Sequence, residues 1–201
     1  MSALLALIVG AIICATGLGW HIARMQRWQF RGDVAVARGS AAKGVLYAFT
    51  RGMLPWEKES ARLHWVAYIR GAVFHAGIFL GIAFLAATPW LTLLPSAVRL
   101  GVSVLLVVAS IAALAGFWMR FRDPMLRAVS TADDYLSLAL ATAFLISASL
   151  CAANAQFLSL FWVVSAITLA YTPFSKLRHF LYFFYSRGFF GWIFGHRGIL
   201  R

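Results

Sequence analysis

Five stretches of this chain run for about twenty residues with few or no charges: 3–20, 65–88, 97–118, 135–153 and 157–185. A helix needs roughly 20 apolar residues to cross a hydrocarbon layer. Each stretch is long enough, so the pattern predicts an all-α integral membrane bundle of five transmembrane helices, a single domain over 1–201. Composition supports this. The chain is 62% hydrophobic and 12% charged, about half the ~25% charge of a globular protein. A soluble domain is excluded. The first stretch has no basic leading segment and no small-residue cleavage site, which favours a span over a signal peptide. Two connectors, TPWLTLLPS after the second span and AANAQ after the fourth, are short and uncharged.

The net charge of +12 does not point to nucleic acid, because the cations cluster by membrane side. Nine Lys and Arg lie between 24 and 70, three at 120–127 and five from 176 on, with Arg99 alone elsewhere. The excess of Lys and Arg in cytoplasmic loops then places 21–64, 119–134 and the tail inside, and the N-terminus outside. The segment RMQRWQFRGDVAVARGSAAKG is too polar for lipid and too short for a domain, and the tail YSRGFFGWIFGHRGILR mixes aromatics with arginines. Both suit the membrane interface or a docked partner. Cys14 and Cys151 are isolated, which excludes a zinc ribbon, a dithiol redox motif and a covalent c-type haem site.

The histidines carry the chemistry. His21, His64 and His196 fall at or beyond span ends, where an imidazole is unremarkable. His75 sits ten residues into the second span, about 15 Å from its cytoplasmic end, and a polar group there marks function by default. His179 lies about seven residues from the cytoplasmic end of 157–185 if that helix is continuous, at a depth of ~10 Å. Two imidazoles at similar depth on different helices suit one haem iron, or else a polar contact between helices. Arg70, Lys176 and Arg178 are cations near enough in sequence to face haem propionates. Gly71, Ala72, Ala76 and Gly77 would admit a flat macrocycle.

At these residues the chain resembles a known family. FHAGIFLGIAFLAATPW and PFSKLRHF are similar to the haem-ligating helices of the respiratory nitrate reductase gamma subunit, a membrane cytochrome b family. Its architecture recurs in membrane cytochromes of heterodisulfide-reductase-like and sulfite-reduction-associated complexes. The resemblance implies His75 and His179 as the axial ligands of the inner haem. The family's second haem would need histidines where this chain has Leu85 and Phe161, and none occurs from 76 to 178. One haem b, not two, is expected. An outer quinone site would then lie far from the iron, so a quinone would bind close to the inner haem.

The resemblance therefore implies a haem b-binding subunit of a respiratory oxidoreductase complex in a bacterial or archaeal cytoplasmic membrane. It would pass electrons between a quinone or quinol and a cytoplasmic iron–sulfur partner, surrounded by membrane lipids. The alternatives are a haem-free membrane anchor of such a complex and an ion or proton transporter. A further haem on His21, His64 or His196 is open. His64 and His75, eleven residues apart, share one helical face.

Overall fold

The computed structural model describes residues 2–27 and 35–200. Residues 28–34, part of the segment assigned to the cytoplasm, lie outside the described residues. Regular structure among the described residues is entirely helical: α1 (Ser2–Gln26), α2 (Ala41–Phe49), α3 (Glu59–Leu63), α4 (Trp65–Ala87), α5 (Ser96–Arg122), α6 (Pro124–Ala128), α7 (Ala132–Ala153), α8 (Leu158–Tyr171) and α9 (His179–His196), joined by 3-10 turns. Five are long and apolar enough to cross a membrane, over Ser2–Gln26, Trp65–Leu93, Ser96–Arg122, Ala132–Ala153 and Ala155–Phe174. The chain is a multi-pass membrane protein.

Local chemistry sets the helix ends. Asp123 stops α5 and caps α6, its carboxylate accepting the N–H groups of Met125 (2.8 Å) and Leu126 (3.4 Å). Asp134 accepts from the backbone and hydroxyl of Thr131 at 2.8 and 2.9 Å, which starts α7 three residues before the apolar run predicts. α1 runs on to Gln26, where Arg24 lies over the Trp20 ring.

The fifth helix departs from the expected 157–185 span. α8 ends at Tyr171, and Thr172–Phe174 form a 3-10 turn. Ser175 is extended (φ −113°, ψ 177°), and a second turn, Lys176–Arg178, leads into α9. Pro173 is the cause: it has no N–H to donate, and its ring clashes with the carbonyl four residues back. His179 is therefore the first residue of a new helix, and the depth that continuity implied does not hold.

The chain divides into two units, 1–17 with 69–177, and 18–68 with 178–201. In the first, α4, α5, α7 and α8 enclose Phe84, Leu106, Ala109, Leu145, Ala148 and Phe161. Small residues set the spacing. A Cβ on Gly77 would collide with Ala109, so α4 and α5 touch there through a glycine. Trp162 Nε1 donates to the Thr88 hydroxyl (3.1 Å), which itself donates to Leu85 O (2.7 Å).

In the second unit α2 lies on α9. Any Cβ on Gly44, Gly191 or Gly195 would meet the backbone of the other helix. Gly191-x-x-x-Gly195 is the small-residue spacing that lets helices approach closely. The loop between α2 and α3 is tied by Glu57, which accepts from Arg51 Nε (2.8 Å) and Tyr47 OH (3.1 Å). Arg187 of α9 donates to Gly52 O at 2.6 Å.

Candidate functional site

His75 lies on the face of α4 that turns away from the first unit's core. Gly77, Gly81 and Phe84 are the buried positions of this helix, whereas Ala72, His75, Ala76 and Phe79 are exposed. Its Nδ1 is 2.7 Å from Gly71 O, one turn back. A carbonyl accepts only from a protonated nitrogen, so Nδ1 is the donor in this contact. A hydrogen bond of this kind fixes the tautomer and orientation of a metal-ligating histidine. Beside it, a Cβ on Gly71 would meet no atom within 4 Å. Gly71, Ala72 and Ala76 thus leave a low surface around the ring, while Gly77, expected to join them, faces Ala109 instead.

Leu85 and Phe161, where the sequence has no histidine, have a different environment. Phe161 is 0% exposed, stacks on Phe84 (centroids 5.8 Å, 26°) and lies tilted against Phe144 (5.6 Å, 44°). Leu85 packs against the same cluster. Aromatic side chains fill this volume.

His179 opens α9, exposed, with Arg178 as the preceding cap residue. His75 belongs to the first unit and His179 to the second. Within the first unit, Tyr171 and Lys176 are held by two aspartates of α7. Asp133 Oδ2 accepts the Lys176 N–H at 2.9 Å, and Oδ1 accepts from Tyr171 OH (2.7 Å) and Ser137 Oγ (3.1 Å). Asp134 Oδ2 receives Lys176 Nζ at 2.5 Å.

The three cations expected near propionates have different settings. Lys176 is engaged by Asp134. The Arg70 guanidinium lies over Gly116 with Nη1 3.5 Å from Ala112 O, and its Nε is buried without a hydrogen-bond partner. Arg178 is half-buried. Among the remaining histidines, His64 is exposed in the turn before α4, and its carbonyl accepts the Tyr68 N–H. His196 Nε2 is 3.2 Å from Ala35 O, and its ring stacks on Trp192.

Two features escape a reading by hydropathy. His21 is 9% exposed, with Nδ1 3.1 Å from Tyr182 OH and its ring edge-on to Trp20. No local pattern announces a partner 161 residues away. Asp133 and Asp134 are the other case. They stand among only six acidic residues, and the TADD sequence at a span head was the available signal.

Among the described residues no three His, Cys, Asp or Glu side chains gather as a metal-ion site. Haem iron asks less of the protein, two axial imidazoles. Comparison with models of known protein families, with curated proteins and with solved structures finds no match to this chain.

Proposed function

We propose that the chain is the haem b-binding membrane subunit of a respiratory oxidoreductase complex. It carries electrons between a quinone and a cytoplasmic iron–sulfur partner, and it is a one-haem relative of the respiratory nitrate reductase gamma subunit. The observation that carries this reading is His75, which sits ten residues into a membrane-spanning helix with Nδ1 committed to Gly71 O. It stands on a flank that carries the small residues Gly71, Ala72 and Ala76. An ionisable side chain at this depth of a span marks a functional site by default, and a flat macrocycle suits that low flank.

His75 and His179 would hold the iron, which supplies one-electron transfer. The filled aromatic cluster around Phe161 supports one haem over two. A quinone close to that haem follows, on the side where the cations gather. The N-terminus outside and the C-terminus in the cytoplasm belong to the same proposal, as does a bacterial or archaeal inner membrane. A basic cytoplasmic face would favour an acidic surface on the iron–sulfur partner.

Pyridine haemochrome quantitation after haem-replete expression tests the reading, with one haem per chain expected. Two haems would sink the one-haem form. No absorbance in a reduced-minus-oxidised spectrum would leave a haem-free anchor or a transporter.

A further inference from the structure

We propose that Lys58 and Arg187, both in the second unit, bind the phosphate of an anionic lipid headgroup. The loop between α2 and α3 shapes the place. Arg51–Met53 and Pro55–Glu57 form two 3-10 turns, and the Arg51–Glu57 ion pair (2.8 Å) closes them into one tied segment. Arg187 of α9 reaches into that segment. Its Nη2 donates to Gly52 O at 2.6 Å and lies 3.3 Å from Met53 Sδ, and the guanidinium sits 5.6 Å from the Phe190 ring centroid. Lys58 ends the same segment, half-buried, with its N–H donating to Pro55 O.

Charge is what this arrangement leaves unbalanced. Burial and the charge of Arg187 hold the Lys58 ammonium below its ordinary value, so the two cations stand within reach of one another. Among the described residues, the acids in ion pairs are Glu57 and Asp134, and neither pairs with Lys58 or Arg187. Arg187 Nε is buried with no hydrogen-bond partner. Two uncompensated cations on a fixed loop suit an anion with several acceptor oxygens, and phosphate offers charge-assisted hydrogen bonds to both. The surrounding surface points to its source. Trp56, Phe184 and Trp192 are 62%, 55% and 41% exposed on the same unit, and such rings belong at the headgroup level of a membrane. A lipid brings acyl chains to those rings, whereas free phosphate has no use for them. Basic residues beside a membrane draw anionic lipids in particular.

Native mass spectrometry of the full chain in detergent would count binding of phosphatidylglycerol, phosphatidylcholine or inorganic phosphate. Amide hydrogen exchange over 51–58 would locate it. Phosphatidylglycerol should bind more tightly than phosphatidylcholine and slow exchange over 51–58. Lys58→Gln keeps the contacts of Arg51 and Arg187 and should weaken phosphatidylglycerol binding about fivefold, the effect of losing one cation beside an anionic surface. Arg187→Gln should weaken it by more, since it also releases Gly52 O. Lys43→Gln, which removes an exposed cation of α2, should leave binding nearly unchanged. If R187Q does not fold, K58Q decides the matter. A K58Q protein that matches K43Q, or phosphatidylcholine that protects 51–58 as well as phosphatidylglycerol does, would overturn the proposal. Equal protection by inorganic phosphate alone would also overturn it, by making the site one for a soluble anion.

Discussion

A polar side chain inside a hydrophobic span is costly to leave unpaired, and His75 shows one local solution. His75 donates from Nδ1 to Gly71 O, one turn back on its own helix. Replacing His75 or His179 by Ala should abolish the low-spin haem spectrum, whereas His196→Ala, which loses a contact to Ala35 O, should keep it. Difference spectroscopy on matched membranes checks all three. Phe161 makes the opposite point. It is fully buried between two phenylalanines, so Phe161→Ala opens a cavity and should cost about 3 kcal/mol or more. A lower melting temperature at unchanged haem content is the expected result. A loss of haem in that variant would place the cofactor against the aromatic cluster. His75 stands out in the sequence because a mid-span histidine is rare and needs a reason. Asp133 and His21 do not, since their partners, Lys176 and Tyr182, are 43 and 161 residues away.

Helices show a similar division between what hydropathy reveals and what it hides. Four spans lie within a few residues of the apolar runs, because chain length in lipid is set by hydrocarbon thickness. The fifth does not, because hydropathy reads FLYFFY as lipid-compatible and is blind to the missing N–H of Pro173. The α2–α9 pair was hidden too, although GFFGWIFG contains the small-residue spacing that makes it. Gly191→Leu would drive a side chain into the Gly44 backbone. Such overpacking should destabilise the second unit by about 2 kcal/mol, read as earlier protease cleavage between α2 and α3. The loop there also responds to pH. The hydrogen bond from Arg51, aided by one from Tyr47, holds the Glu57 carboxyl below its ordinary value. Its folded value is depressed, so its contribution is complete above the unfolded value, about 4.3, and disappears as pH falls through the folded one. Hydrogen exchange over 47–57 should therefore accelerate in acid, and Glu57→Gln should show the faster exchange already at pH 7.

For the whole molecule, the proposed topology and partner make one joint expectation. Single cysteines at 2 and 199, in a background without Cys14 and Cys151, should label from opposite sides of the membrane. Gentle detergent extraction from the native membrane should recover an iron–sulfur protein with the chain. Labelling from one side only would refute the topology, and recovery of the chain alone would refute the partner. The glycine contact between α2 and α9 has a further consequence, in time instead of space. Gly44 finds its partners only when Gly191 and Gly195 have been synthesised. At about 5–20 residues per second, the intervening stretch occupies the ribosome for roughly 7–30 s. Most of that interval is spent making the first unit, which runs to residue 177, while α2 waits with its glycine face uncovered. The second unit therefore closes only after the first has been synthesised, and a ribosome stalled before Gly191 leaves a 41–49 segment without its glycine partners.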